Sequence, residues 1–242
     1  MNKLILCEGE TDAILLSYYL ELTCLWKHCN APSGLKIRVE MNRGESAYWY
    51  QRDKDNLLIC AVGSKDSFGF FFENRISSPL YDTDEAFSRI ALVIDHDEES
   101  VSSIEEKIQS CFPPVTANAK NNKWIRNEYT NSYEQTKELD FLLLVIPSDQ
   151  QGVLESLLLE AISENPYDKN IVEKSQEYVN RITPEATRYL DKRRLIPKAY
   201  LGVTWAIQSP QKVFKFIDEQ IRLVQWEKST VLSKCFHQIM EI

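Results

Sequence analysis

The chain has 242 residues, 43% hydrophobic and 26% charged, with a formal net charge of −8. That composition is ordinary for a globular chain with a sizeable core. No apolar run is long enough to span a bilayer, no basic-then-apolar leader opens the chain, and the net charge argues against a general nucleic-acid coat. The charge is uneven. Residues 1–165 hold 15 Lys and Arg against 27 Asp and Glu, whereas residues 166–242 hold 13 against 9. The six cysteines form no C-x-x-C pair, and Cys7 and Cys60 lie inside apolar runs. Buried free thiols behave that way, so a reduced, cytoplasmic setting is expected.

In chain order, "KLILCE" reads as a buried strand. A helix follows through "DAILLSYYLELTCLWKH", with Thr11 or Asp12 as its cap. "LKIRVEMN" and "SAYWYQRD" flank "RGES" and read as a hairpin. "NLLICAVG" is a second buried strand, "SFGFFFENRI" a short aromatic helix, and "RIALVIDHD" a third buried strand that ends in acids. "SSIEEKIQSCF" predicts a helix capped by Ser102 or Ser103. The polar stretch 117–137 predicts a hairpin or loop, and "DFLLLVIP" a fourth buried strand. From Gly152 onward the pattern is helical, broken at Pro166, Pro184, Pro197 and Pro210.

Continuously apolar strands separated by helices imply a mostly parallel four-stranded sheet between helices, with hairpin insertions and a helical extension. Residues 1–150 would form the α/β domain and residues 151–242 the extension packed on it. Ligands in such sheets bind at the carboxyl ends of the strands, and the acids sit there. Glu8 and Asp12 follow the first strand. Asp95 and Asp97 follow the third, two residues apart, which on an extended strand puts both carboxylates on one face with His96 turned away. Glu155 comes soon after the fourth, near a helix start. Crowded carboxylates repel and resist desolvation. A hard divalent cation such as Mg²⁺ or Mn²⁺ offsets that cost. The plainer explanation is that Glu8 and Asp12 favour the positive end of a helix.

Glu-Gly-x-Thr-Asp after the first strand, followed by Asp-x-Asp after the third, resembles the TOPRIM domain shared by topoisomerases, bacterial primases and OLD-family nucleases. The resemblance covers residues 1–150, and "VIPSDQQGVLESLLLEAI" with its helical tail is similar to small stand-alone TOPRIM-like proteins nearest the OLD branch. It implies a Rossmann-like TOPRIM core and a two-metal site. Glu8 and Asp12 would match the Glu-x-x-x-acid motif, Asp95 and Asp97 the Asp-x-Asp, and Glu155 a downstream acid.

The expectation is therefore Mg²⁺-dependent phosphodiester chemistry on nucleic acid, most simply a nuclease. Asp95 and Asp97 would hold metal, and Glu8 would serve as ligand or general base. Lys65 is the first candidate to neutralise phosphate charge, with Lys198 a more distant one. The basic run Arg188, Lys192, Arg193, Arg194 and Lys198 would face phosphates; a solvated helix face is the plainer alternative. There is no G-x-x-x-x-G-K-[ST], so no P-loop ATPase accompanies the domain. The alternative function is a non-catalytic TOPRIM-like regulatory or interaction module that acts through protein or nucleotide binding; in either case the chain would work as a homodimer or with a partner protein. In the module the acids would be splayed apart or tied up by nearby Lys and Arg.

Overall fold

The computed structural model describes residues 1–32, 39–41, 44–83, 87–113, 115–148, 151–212, 219, 221–222 and 224–242. Seven strands form one sheet: β1 (Asn2–Cys7), β2 (Lys27–Cys29), β3 (Ser46–Arg52), β4 (Asp55–Ala61), β5 (Phe87–Asp95), β6 (Lys123–Thr130) and β7 (Thr136–Ile146). Their order is β2-β3-β4-β1-β5-β7-β6. The four apolar runs are β4, β1, β5 and β7, which lie side by side and parallel. The antiparallel strands β3 and β6 flank them, and β2 adds to β3.

The four-stranded sheet expected from sequence is therefore the parallel centre of a seven-stranded one. The extra strands are less apolar. Along β6 exposed and buried residues alternate near its end, as suits a strand covered on one face. The stretch 117–137 supplies β6 and the turn into β7. The first arm of the hairpin read across residues 35–53 lies largely outside the described residues. Its second arm is β3, which pairs with β4 through a turn at Asp53, where φ is +53°.

The parallel strands carry continuous apolar runs (Leu4–Cys7, Leu57–Ala61, Ile90–Ile94 and Phe141–Ile146) because both faces are covered there. In β1, Ile5 and Cys7 join a core with Leu15, Leu16 and Tyr19 of α1 (Glu10–Cys24) and Leu157 and Leu158 of α5 (Leu154–Ile162). Leu4 and Leu6 join the opposite core with Phe68 and Phe71 of α2 (Phe68–Phe71) and Ile104 and Ile108 of α4 (Val101–Cys111). The aromatic helix runs on past α2 through a π turn at Phe72–Ile76 into α3 (Ser77–Tyr81).

The remaining helices are α6 (Pro166–Ile182), α7 (Leu195–Gln208) and a short helix at Thr230–Cys235. Pro166 is the first residue of α6, with Asn165 as cap, a position that wastes no hydrogen bond. Pro197 does not break the chain into segments as expected. It sits in the first turn of α7, where a missing N–H costs nothing. Among the described residues no helix is long and apolar enough to cross a membrane.

Candidate functional site

The site is built from three chain turns at the carboxyl edge of the sheet. At the end of β1, Gly9 precedes α1 and neither Thr11 nor Asp12 is its N-cap. Asp12 instead lies in the first turn and reaches back, its Oδ2 accepting from the Gly9 N–H at 2.7 Å. This satisfies a donor at the helix start. A Cβ on residue 9 would lie 3.0 Å from that oxygen, so glycine here is a matter of close approach. Glu8 turns toward the neighbouring strand, and its Oε1 accepts from the Asp95 N–H at 2.9 Å.

At the end of β5, the Asp95 carboxylate accepts from the Leu154 N–H at 2.9 Å. The start of α5 thus supplies a donor to a strand-end acid. Asp97 departs from the same-face arrangement expected from sequence. The strand stops at Asp95, and Asp97 has φ +50°. Its carboxylate lies 3.4 Å from Lys65 Nζ, which also donates to the Asp95 carbonyl at 3.1 Å and pairs with Glu99 at 3.1 Å. His96 is buried, with Nδ1 3.3 Å from the Pro147 carbonyl oxygen. Ser100, rather than Ser102 or Ser103, caps α4, accepting from the Ser103 N–H.

Glu155 lies in the first turn of α5 with its side chain only 8% exposed. Lys198 reaches it from α7, Nζ to Oε1 at 2.5 Å, while Oε2 is buried and has no hydrogen-bond partner. Lys198 is thereby part of the site, closer than its place in the sequence suggests. One further contact is invisible in the sequence: Arg193 pairs with Glu98 at 3.1 Å and ties the basic segment to the loop after β5.

The electrostatics follow from burial. Asp95 is pushed up to about 9, first by burial and then by the charges of Asp12, Glu8 and Glu155. Glu8 rises to about 7, chiefly through burial and against the lowering effect of the Asp95 N–H. Asp12 rises to about 6, again through burial, with Glu155 adding to it and the Gly9 N–H opposing it. Burial pushes the Lys198 ammonium down, but its bond to Glu155 and the charges of Asp95 and Asp12 outweigh that and leave it raised.

Glu8, Asp12, Asp95 and Glu155 therefore share one electrostatic environment, and Asp97 stands at its edge beside Glu8. Among the described residues no three His, Cys, Asp or Glu side chains already stand in the geometry of a metal site. The donor set still fits a hard cation. It consists of oxygens, it is partly desolvated, and one buried carboxylate oxygen is orphaned. A cavity of about 840 Å³, lined in part by Glu164, Asn165, Tyr167, Asp168, Gln208 and Lys228, contains none of these acids. Its size carries less weight than the convergence of charge.

Fold and site together define a mixed α/β protein with carboxylates gathered at the carboxyl ends of its parallel strands. The chain belongs to the family described as a protein of unknown function, DUF3226, which matches residues 2–237. No curated protein matches it. It is similar to a solved hypothetical protein, PH0156 from Pyrococcus horikoshii OT3, at 12% identity, over 98% of this chain and 99% of that one, with a TM-score of 0.46.

Proposed function

We propose that this chain carries divalent-metal-dependent phosphodiester chemistry on nucleic acid, most simply as a TOPRIM-like nuclease of the OLD type. One observation carries the reading: three separate turns bring Glu8, Asp12, Asp95 and Glu155 to one edge of the sheet, joined where Glu8 accepts from the Asp95 N–H and Asp95 from the Leu154 N–H, each at 2.9 Å. Burying like charges together is costly unless a cation joins them. Glu8, Asp12, Asp95 and Glu155 would hold Mg²⁺ or Mn²⁺, with Asp97 at the edge. The metal, when bound, supplies Lewis-acid charge and a water of lowered pKa.

The chain's own groups supply the rest. Glu8 would serve either as one of the metal ligands or as the group that accepts a proton from an attacking water. Lys65 is held by a carbonyl and two carboxylates at the same edge, where its ammonium offsets charge on a phosphate. Nucleic acid would approach over the basic segment 188–198. Arg193 and Lys198 are committed to Glu98 and Glu155, while among the described residues Lys192 and Arg194 have no ion-pair partner. Tyr189 is 70% exposed beside Arg188 and offers a face on which a base can stack.

A non-catalytic TOPRIM-like module is the second reading. One observation favours it: Lys198 and Lys65 already pair with Glu155 and Asp97. Calorimetry with Mg²⁺ and Mn²⁺, on the parent and on Asp95→Ala/Asp97→Ala, separates the two. Binding that the double variant loses, followed by cleavage of DNA or RNA, supports the enzyme. A parent that binds neither ion supports the module.

A further inference from the structure

Lys198 enters the acidic cluster from outside. Its side chain is half exposed, yet its ammonium sits 2.5 Å from a carboxylate that is 92% buried by the same measure. It lies in the first turn of α7, the end of a helix where a positive charge is disfavoured. Glu155, with Asp95 and Asp12 behind it, is what makes the position favourable.

The ammonium satisfies only half of its partner. Glu155 Oε2 remains buried without a hydrogen bond, as a compact point charge at one oxygen leaves it. Lys65 provides the contrast. It is held by the Asp95 carbonyl, Asp97 and Glu99 together and has a 19% exposed side chain. Among the described residues Lys198 has one ion-pair partner, Glu155, and its half-exposed side chain gives it an open route to solvent along a flexible four-carbon stem.

We infer that Lys198 is a placeholder cation: it neutralises Glu155 in the metal-free protein and yields that carboxylate when a divalent ion enters, its ammonium moving outward to the rim. This rests on the metal-site reading above and adds a competition to it. The exchange keeps the buried cluster from ever being left without a counter-charge, at the cost of weaker metal binding.

The test compares the parent with Lys198→Met, which keeps the stem and removes the charge. Calorimetry with Mn²⁺ should show the variant binding about tenfold more tightly, the scale of one neighbouring charge on a buried carboxylate. Its melting temperature in chelator should fall below the parent's and recover in saturating Mn²⁺. Equal or weaker binding by the variant, with the parent binding, overturns the placeholder alone. No binding by either protein overturns the metal site and the placeholder with it. Should Lys198→Met fail to fold, the parent suffices. Its lysines are reductively methylated with ¹³C, and the Lys198 signal, assigned by its loss in Lys198→Arg, is followed as Mg²⁺ is added. A move to the position of exposed lysines supports the exchange, and an unmoved signal at saturation overturns it.

Discussion

Glu8 and Asp95 lie at the ends of adjacent parallel strands, and the Asp95 N–H donates to Glu8 Oε1 at 2.9 Å. Because the Asp95 carboxylate is itself engaged by the Leu154 N–H, one residue joins β1, β5 and α5. Their acids are consequently drawn together rather than pointed apart.

That proximity sets a pH dependence. Glu8, Asp12 and Asp95 have folded-state values raised to about 7, 6 and 9, so the native protein holds protons that the unfolded chain has released. Such groups contribute stability that is full below the ordinary carboxylate range and lost as pH rises through the raised values. Asp55, Glu99, Glu105 and Glu164 are lowered instead, and they act in the opposite sense, losing stability only as pH falls through the acid range. In chelator, the melting temperature should fall between about pH 5 and about pH 9, and Asp95→Asn should flatten the slope. A melting temperature that climbs across this interval would refute the burial of the cluster.

Gly9→Ala tests the close approach at the start of α1. The added Cβ meets Asp12 Oδ2, so the 2.7 Å bond to the Gly9 N–H must give way. Losing a cap costs about 1 kcal/mol, or roughly 2–4 °C in a chain of this size. Asp12→Asn keeps an acceptor and removes the buried charge. At alkaline pH in chelator it should melt no lower than the parent, while losing affinity for Mg²⁺. Thermal scans of both variants and the parent decide it, and an unshifted Gly9→Ala would count against the geometry.

Trp26 anchors the opposite side of the molecule from the strand-end acids. Its ring is fully buried between the Arg52 guanidinium at 4.4 Å and the Lys3 ammonium at 5.3 Å. Truncation to alanine should cost about 3–5 kcal/mol, lowering the melting temperature by roughly 6–20 °C. Trp26→Phe should cost much less, since the indole N–H it removes has no partner. Denaturant titration gives both values, and a milder Trp26→Ala than Trp26→Phe would contradict the packing.

Charge reversal at Lys192 and Arg194 tests the approach of nucleic acid. Both are exposed, and among the described residues neither has an ion-pair partner, so the double Glu variant should keep its stability to within about 0.5 kcal/mol. Binding of a fluorescent oligonucleotide at low salt should weaken, and its salt dependence should become shallower by about one phosphate per lost cation. Unchanged anisotropy curves would remove this segment from the proposal.

The parallel centre is legible because strands covered on both faces carry unbroken apolar runs, as in "LILC", "LLICA", "IALVI" and "FLLLVI". Glu8 and Asp95 stand out as candidates because charge meets the end of an apolar run, and Glu155 because it opens the helix that follows the fourth run. Same-face alternation fails at Asp97 because it holds only while the strand lasts: β5 ends at Asp95, and Asp97 has a positive φ. Ser100 was missed as a cap because Ser100, Ser102 and Ser103 offer rival starts within one turn. Lys198 could be named only as a distant candidate. It joins a partner 43 positions away, and Arg193 joins one 95 away; pairings of that kind depend on how helices settle on the sheet. Of the flanking strands, β3 is legible as a hairpin arm and β6 as a hairpin or loop, whereas β2 (Lys27–Cys29) is hidden because it reads as the end of the first helix, which in fact stops at Cys24.

The strand order also dictates a timetable. β1 is made first, yet it lies between β4 and β5, and α1 beside it waits longer still: Tyr19 packs on Phe236 with ring centres 5.2 Å apart, and Cys24 donates to the Met240 carbonyl. A nascent chain can therefore pair β1 once β5 has been made, but must carry the face of α1 that bears Tyr19 and Cys24 uncovered until its last residues emerge. Escort by a chaperone, or a pause before compaction, would serve such a chain better than early collapse.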